Sequence, residues 1–393
     1  MRLFSVWLSL LVLGTLAPLA ADENLVTRGF DYFYNLEYDQ ALAIFQQAAA
    51  RDPNSPDMHN HVAETILFRE MLRDGALESE LVSGDNSFLR RPKMNPAPET
   101  HREFLHEITA AISVANERLR KNPSDTEALY ALGIAYGLRA NFNWLVNKSW
   151  RESLTDATAA RRQHNRISEL EPGNVDATLV QGLHDYVVGS LPVVFRMLGL
   201  LAGIRGDKEK GLQTVEDVAR RGDRNRVDAQ ILLCALYRRE NQPNRAVPVV
   251  EDLMRRYPRN YLLPLELSQM YSMAGDGQRA LAAVEALARA KASHAPGLDR
   301  VPWEKIYFQE GTIQFWYRDL DHSLDNLKKV AAAADNLDLN TGAFAYLRIG
   351  QIYDMTRRRD DAILAYKKCI AFAPEADAAR ESRKYLATPY RRL

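Results

Sequence analysis

Four histidines are the residues of this chain whose types and spacing could support metal chemistry. His59 and His61 lie close together with Glu64 on the following turn, and His101 and His106 fall on the helix expected to pack against theirs. Imidazole and carboxylate groups are common zinc ligands, so a metal-binding or enzymatic module is one hypothesis for the chain. Residues two positions apart point in different directions on a helix, however. We therefore expect surface histidines and assign no metal site.

Catalytic motifs that would support an enzyme are missing from the sequence. The chain contains no G-x-S-x-G, P-loop, G-x-G-x-x-G or H-E-x-x-H pattern. Acidic residues are abundant, but they are scattered beside Arg and Lys as on a solvated helical surface. We predict that the chain is not an enzyme and that it uses no cofactor.

The segment from residue 141 to residue 150 is a candidate partner-binding insert. Aromatic rings beside adaptable polar groups make good anchors for a protein or peptide partner. The alternative is that the two tryptophans only pack the insert against the neighbouring repeat. The candidate partner-binding residues of this segment are Asn141, Asn143, Trp144, Lys148 and Trp150.

A second unusual segment runs from Gly189 to Gly206, and its part from Ser190 to Ile204 is apolar on nearly all sides except for Arg196. It is too short, and too broken by Pro and Gly, to span a bilayer. The favoured interpretation is an extra helix that plugs the groove of the fold. The alternative is a helix at 191–204 that docks on a partner or on a membrane surface, as in a membrane-peripheral assembly factor. The candidate partner-binding residues here are Phe195 and Arg196, together with Tyr186 just before the segment.

Composition favours a folded protein without a bulk electrostatic partner. The chain has 393 residues, of which 46% are hydrophobic and 26% are charged, and its 51 basic and 51 acidic residues cancel. A balanced charge gives no reason to expect nucleic-acid binding or bulk attraction to an anionic membrane. Cys234 and Cys369 stand at small-residue positions of helices, so we expect buried free thiols, with a disulfide as the alternative.

The N-terminus has the pattern of a targeting segment. Met1 and Arg2 are followed by an almost wholly apolar run to Leu19, and small residues precede Asp22. This pattern predicts a secretory signal peptide over residues 1–21, cut after Ala20 or Ala21. An uncleaved membrane anchor is the alternative. We expect an exported protein, in a bacterial periplasm, whose mature chain has no membrane span.

The elements that must position these candidates are clearest from Ala343 to Pro374. Gly350 and Ala362 are small because two helices are expected to touch there, and Pro374 cannot continue the second helix. The spacing therefore predicts two helices joined by a turn. The residues that define it are Tyr346, Ile349, Gly350, Tyr353, Ala362, Tyr366, Cys369 and Pro374.

Similar spacing recurs from Leu25 to Pro53, from Thr126 to Pro172 and in five further units. One such unit cannot bury its own apolar face, so neighbouring units must stack on it. We predict an all-α fold, an α-solenoid or superhelix of about eight helix-turn-helix hairpins over residues 22–393. Inserted loops or helices are expected at about 75–100, 141–150 and 189–206, and a capping helix at about 377–388.

These units resemble the tetratricopeptide-repeat superfamily across nearly all of the mature chain. The chain is also similar to uncharacterised exported bacterial members of that superfamily, through residues 132–140 and 206–212. The resemblance implies protein–protein scaffolding and supplies no catalytic residues. One subclass binds the C-terminal carboxylates of chaperones through Lys and Asn on the groove helices. At those positions this chain has Val26 and Phe30 in the first unit, and Tyr130 and Ile134 in the third. These residues argue against a role as an adaptor for chaperone C-termini.

The resulting hypothesis is a non-enzymatic scaffold or assembly factor of the cell envelope. It would bind a partner protein or peptide through the concave groove, using the aromatic residues of the insert and the apolar positions of the first helices.

Overall fold

The computed structural model describes residues 17–77, 93–191 and 205–391, which form seventeen α-helices and no β-strand. In chain order the helices are α1 Ala17–Tyr34, α2 Tyr38–Arg51, α3 Pro56–Arg73, α4 Pro98–Lys121, α5 Thr126–Phe142, α6 Trp150–Leu170, α7 Leu179–Gly189, α8 Lys208–Arg221, α9 Arg226–Arg239, α10 Pro243–Arg256, α11 Leu262–Met273, α12 Gly277–Ala292, α13 Trp303–Trp316, α14 Leu320–Ala332, α15 Leu339–Met355, α16 Arg359–Phe372 and α17 Asp377–Ala387. Single 3₁₀ turns precede α7, α13 and α15.

Consecutive helices pack as hairpins, α1 with α2, α3 with α4, and so on to α15 with α16. The second helix of each hairpin also packs against the first helix of the next one, so the eight hairpins form one continuous stack. The last helix, α17, packs on α15 and α16 at the end of this stack. The predicted all-α solenoid of about eight helical hairpins is therefore confirmed.

Glycines in the first helices admit large side chains from the second helices. A Cβ atom on Gly350 would lie 2.4 Å from Cε1 of Tyr366, and one on Gly29 would lie 2.4 Å from Cε1 of Phe45. Such distances are far below van der Waals contact, so both sites require glycine. The spacing of small and large residues that defines the repeat is the spacing at which the two helices of a hairpin touch.

The regions expected to be inserts are described in part. α4 begins at Pro98, since the first turn of a helix tolerates proline. Residues 78–92 lie outside the described part of the chain. Residues 192–204 also lie outside it, including the candidates Phe195 and Arg196, and with them the predicted plug or docking helix.

The N-terminal helix begins at Ala17, inside the segment predicted to be a signal peptide, and residues 1–16 lie outside the described part. None of the described helices is both long enough and apolar enough to cross a membrane. Cys234 and Cys369 are buried free thiols, as predicted.

The first hairpins of the superhelix contact hairpins that come much later in the sequence. The hydroxyl of Tyr34, at the end of α1, donates to Oδ1 of Asp228 on α9 at 2.9 Å. A Cβ on Gly75, just after α3, would lie 2.8 Å from Cβ of Asp338 at the start of α15. The first two hairpins therefore contact two separate parts of the second half of the chain.

Candidate functional site

The segment 141–150 forms the connection between α5 and α6. α5 ends at Phe142, and residues Asn143–Asn147 continue as one π-helical turn. Lys148 then adopts a left-handed backbone with φ of 55°, which ends the turn before α6 begins. Single π turns inside helices are frequent at functional sites.

An ion pair between a half-buried arginine and a buried aspartate fixes this connection. The guanidinium of Arg139 on α5 donates to both carboxylate oxygens of Asp156 on α6, at 2.9 and 2.6 Å. The side-chain amide of Asn143 donates to the same carboxylate at 3.1 Å. Since Asp156 is only 6% exposed, these three hydrogen bonds offset the cost of burying its charge. They also determine the direction in which α6 leaves the π turn.

Trp144 and Lys148 lie on the inner side of this connection. The ring of Trp144 packs against the apolar core of the first two hairpins. The ammonium of Lys148 lies 5.7 Å from the centre of that ring, within the range of a cation–π contact. Trp144 therefore contributes to packing, in line with the alternative interpretation of the insert.

Trp150 and Leu154 lie on the opposite, solvent side. Their side chains are 58% and 50% exposed, and they stand one turn apart on the same face of α6. The guanidinium of Arg151 lies 5.2 Å from the centre of the Trp150 ring. These three residues are called the α6 patch below. A large exposed tryptophan beside an exposed leucine and a cation has the composition of a protein-binding hot spot.

A shallow cleft adjoins the α6 patch. Its volume is about 310 Å³, and its lining residues are Arg139, Asn143, Arg151, Glu152, Thr155 and Asp156. Asn141 is exposed on the preceding turn of α5. The structure thus brings Asn143 and the α6 patch to one surface, while Trp144 and Lys148 face the core.

Tyr186 is placed differently from the other candidates. Its side chain is 1% exposed, and its hydroxyl donates to Oε1 of Glu240 at 2.7 Å. A Cβ on Gly211 would lie 2.3 Å from the backbone nitrogen of Tyr186, so α7 and α8 are in close contact at this point. Tyr186 therefore packs three helices together and offers no surface to a partner.

The four histidines have separate surroundings. Nδ1 of His59 lies 2.6 Å from Oε2 of Glu107, and this hydrogen bond raises the pKa of the imidazole. The ring of His61 lies between Phe30 and Phe45, with centroid distances of 4.8 and 5.1 Å, and burial lowers its pKa to about 4.

The other two histidines, His101 and His106, are also not grouped with other possible metal ligands. His101 packs at 4.9 Å against the ring of Phe142, and His106 is exposed. Across the described residues, no group of three or more His, Cys, Asp or Glu side chains is arranged to hold a metal ion. The structure therefore does not bring the four histidines together as the metal hypothesis requires.

A half-buried acidic pair was not predicted from the sequence. Glu64 on α3 and Asp228 on α9 lie close enough to interact, between the second and fifth hairpins, and we call them the inner pair. Burial raises the pKa of Glu64 to about 8, and the charge of Asp228 adds to that rise. Burial also raises the pKa of Asp228 to about 6, although the hydrogen bond from Tyr34 acts in the opposite direction.

No protein-family model matches this chain, and no curated protein matches it. Several solved structures are similar to it. Yeast Tom70 aligns over 94% of this chain and 95% of its own, with 12% identity and a TM-score of 0.39. A tetratricopeptide repeat protein from Parabacteroides merdae aligns over 80% and 93%, with 14% identity and a TM-score of 0.31. The human IFIT1 dimer with m7Gppp-AAAA aligns over 93% and 85%, with 14% identity and a TM-score of 0.45.

The chain resembles the tetratricopeptide-repeat superfamily in fold. Its own eight hairpins, with their matched small and large positions, bear out the resemblance that the sequence predicts. At identities of 12–14%, the three solved structures indicate nothing about what this chain binds.

Sequence reasoning missed the contribution of the first helix to the interior. Tyr34 is 8% exposed, and its ring lies 5.0 Å from that of Tyr257. The only sequence signal is the density of aromatic residues near the end of α1. That signal does not identify a contact with a residue more than two hundred positions away.

Proposed function

We propose that this chain is a non-enzymatic scaffold that binds a partner protein or peptide through the α6 patch. The observation that supports this function is the exposure of Trp150 and Leu154 on one face of α6, beside the cleft of about 310 Å³. Burying both side chains under a partner would remove a large apolar area from water. The Arg139–Asp156 pair, whose carboxylate is buried, holds this surface in a fixed geometry before binding, which lowers the entropic cost of association.

The α6 patch favours a partner segment with an apolar anchor and a carboxylate. The guanidinium of Arg151 stacks on Trp150 and makes no ion pair with another described residue. A partner carboxylate could approach this guanidinium while an apolar side chain covers the ring. We therefore propose a peptide that alternates large apolar and acidic residues.

Occupation of the inner surface is a further reason to place the partner on α6. The hypothesis from the sequence places the partner in the concave groove. On the inner side, however, the hydroxyl of Tyr34 in the first hairpin donates to Asp228 in the fifth hairpin. The hydroxyl of Tyr130 in the third hairpin donates to Asn225, at the start of the fifth. Residues of the same chain thus fill this part of the groove, which favours the outer surface of α6 for the contact.

We also propose that the scaffold acts in the cell envelope. The support for this location is the apolar N-terminal segment with its small residues at 20 and 21. Export would present the α6 patch to envelope proteins or their extended segments.

Loss of the α6 patch should weaken peptide binding. A random-peptide library displayed on phage is selected on the immobilised chain, and the enriched peptides are then titrated as purified reagents. We expect sequences rich in large apolar and acidic residues. The double substitution Trp150→Ala, Leu154→Ala should raise their Kd by at least about tenfold, because truncating a tryptophan hot spot costs about 2 kcal/mol or more.

A matched control is Leu364→Ala, which removes an equally exposed leucine from α16. It should leave the Kd unchanged, and circular dichroism should show the same helix content for all variants. The proposal fails if the enriched peptides bind the α6 variant as tightly as the wild type. It also fails if Leu364→Ala weakens binding to the same extent.

A further inference from the structure

The C-terminal end of α1 is capped by residues from distant hairpins. The last carbonyl groups of a helix have no partner within the helix and need donors from elsewhere. The amide of Asn260 donates to the carbonyl oxygen of Tyr34 at 2.8 Å, and the guanidinium of Arg300 donates to those of Asn35 and Leu36, both at 2.8 Å. These donors lie 226 to 265 positions away along the chain.

Arg259 adds charged contacts at the same place. Its backbone nitrogen donates to Oδ1 of Asn35 at 2.9 Å, and its guanidinium donates to Glu37 at 2.9 Å and to Asp31 at 2.7 Å. The Arg259 side chain remains 29% exposed, so water can replace these bonds. Arg259, Asn260 and Arg300, with the end of α1 that they hold, are called the closure contact below.

The closure contact differs from the contacts within the stack. The stack has an apolar core, with Phe45 and Tyr366 fully buried inside their hairpins. The closure contact combines hydrogen bonds and ion pairs from side chains with a smaller apolar part, in which Tyr257, Tyr261 and Leu262 pack on the core of the first hairpins and the Tyr34 and Tyr257 rings lie 5.0 Å apart. Mixed interfaces of this kind between distant parts of one chain open at lower free energy than the continuous apolar core of a stack does.

We propose that the closure contact is an autoinhibitory latch, which holds the superhelix shut and keeps the inner faces of α1, α3 and α5 covered. In the shut form Asp228 and Asn225 bind Tyr34 and Tyr130, so a partner cannot reach those faces. Release of the latch swings the first hairpins away from residues 257–300 while each hairpin stays folded. This inference is independent of the α6 patch, which lies on the solvent side.

The inner pair makes the latch sensitive to pH. Glu64 and Asp228 approach each other only when the superhelix is shut, and there the pKa of each is raised, to about 8 and about 6. Below pH 6 both carboxyl groups are protonated and do not repel. Above pH 8 both are ionised, and their repulsion favours the open form, in which each regains water.

The other groups around the inner pair do not cancel this effect. Tyr34, Tyr38, Tyr130 and Tyr257 face it from α1, α2, α5 and the turn before α11, and all four pKa values are raised, so they stay neutral. On the same inner side are Asp57, the neutral His61, Arg224 and Arg300. Arg224 is already paired with Glu127 at 2.6 Å, and Arg300 with the carbonyls of α1.

The test measures the distance between the first and sixth hairpins in the full chain. Spin labels are attached at Ala43→Cys on α2 and Ala286→Cys on α12, both exposed alanines, and the distance distribution is recorded by pulsed electron resonance. Wild type at pH 6 should give one short distance. Arg259→Ala with Arg300→Ala should add a longer distance whose population rises severalfold, with the helix content retained.

The matched control removes another arginine that bridges hairpins. Arg245→Ala breaks a 2.8 Å pair to Glu216 between α10 and α8, and it should keep the single short distance. A longer distance in this control as well would overturn the latch, because any lost ion pair would then loosen the stack. An unchanged distance in the Arg259, Arg300 variant would also overturn it.

A pH series on the labelled chain tests the latch without removing it. The longer distance should grow between pH 6 and pH 9.5 in wild type, and Glu64→Gln, which mimics the protonated carboxyl, should suppress that growth. A distribution that stays constant over this range overturns the pH-sensitive latch. Equal growth in the Glu64→Gln variant does so too.

Discussion

Replacing Lys305 with methionine will lower the free energy of unfolding by about 3–5 kcal/mol, because it leaves a buried carboxylate without its counter-ion. Lys305 on α13 is 9% exposed, and its ammonium bonds to Asp338 and to Oγ1 of Thr341. Asp338 caps α15 by accepting from the backbone nitrogen of Thr341 at 3.0 Å. The substitution keeps the volume of the side chain but removes its charge.

The pKa of Asp338 shows how strongly the pair depends on Lys305. Burial alone would raise this pKa, but Lys305 and the hydrogen bonds from Thr341 hold it below its ordinary value. A carboxyl with a lowered pKa stabilises the fold above the pKa of the unfolded chain, and that contribution is lost as the pH falls. In Lys305→Met, the loss of stability should therefore be larger at pH 7 than at pH 3.

Urea unfolding followed by circular dichroism at pH 7 measures the effect. Lys367→Met on α16 removes an exposed lysine and should change the free energy by less than about 0.5 kcal/mol. Adding Asp338→Asn to Lys305→Met should recover part of the loss, since the neutral amide can still cap α15 without a buried charge. If Lys305→Met unfolds at the same urea concentration as Lys367→Met, the pair does not stabilise the fold as proposed.

The hairpins could be predicted from the sequence because each depends on local spacing. Gly350 and Tyr366 are close in the chain, and their contact follows from the periods of two helices joined by a short turn. A repeat architecture multiplies this local rule, so one clear unit predicts the others. The same logic locates the insert at 141–150, where the spacing breaks.

The winding of the superhelix could not be predicted in this way. Whether Arg259 and Arg300 reach the end of α1 depends on small rotations between successive hairpins, summed over at least five units. Each rotation follows from side-chain packing that the repeat pattern does not specify. The inner pair was missed for the same reason, because Glu64 and Asp228 meet only through that winding.

The placement of Tyr186 could have been inferred more closely. Gly211 occupies the small position of α8, and a small residue there implies that the partner helix approaches it directly. Tyr186 lies on that helix, at the point of approach. The apolar segment 189–206 that follows Tyr186 favoured an interpretation as a partner-binding residue, whereas Gly211 indicates that Tyr186 packs against α8.

Replacing His164 with leucine will raise the stability of the third hairpin and make it less sensitive to acid. His164 lies opposite Gly133, where a Cβ would come within 2.6 Å of Nε2, so it fills the position that Leu327 fills opposite Gly311 in the seventh hairpin. The imidazole is fully buried, and neither ring nitrogen has a hydrogen-bond partner in the described part of the chain. An unpaired buried polar group costs about 1–3 kcal/mol, which leucine would not incur.

The effect of pH follows from the same burial, which lowers the pKa of His164 from its ordinary 6.5 to about 4. Between these values the unfolded chain binds a proton at this site and the folded chain does not, so stability falls as the pH drops from about 6.5 to about 4. The full loss from a shift of this size is about 3 kcal/mol. His164→Leu removes that contribution, whereas His61, whose pKa is also lowered to about 4, keeps its own.

Thermal unfolding at pH 7 and at pH 4.5 measures both effects. His164→Leu should raise the Tm at pH 7 by a few degrees and by more at pH 4.5, because only the wild type must keep this imidazole neutral in acid. His106→Leu replaces an exposed histidine on α4 and should change neither the Tm nor its pH dependence by a comparable amount. A Tm difference between His164→Leu and wild type that is the same at both pH values would show that His164 is not held neutral by burial. A lower Tm at pH 7 would show instead that the site between Gly133 and Tyr130 requires the flat ring, whose edge packs at 5.3 Å against that tyrosine.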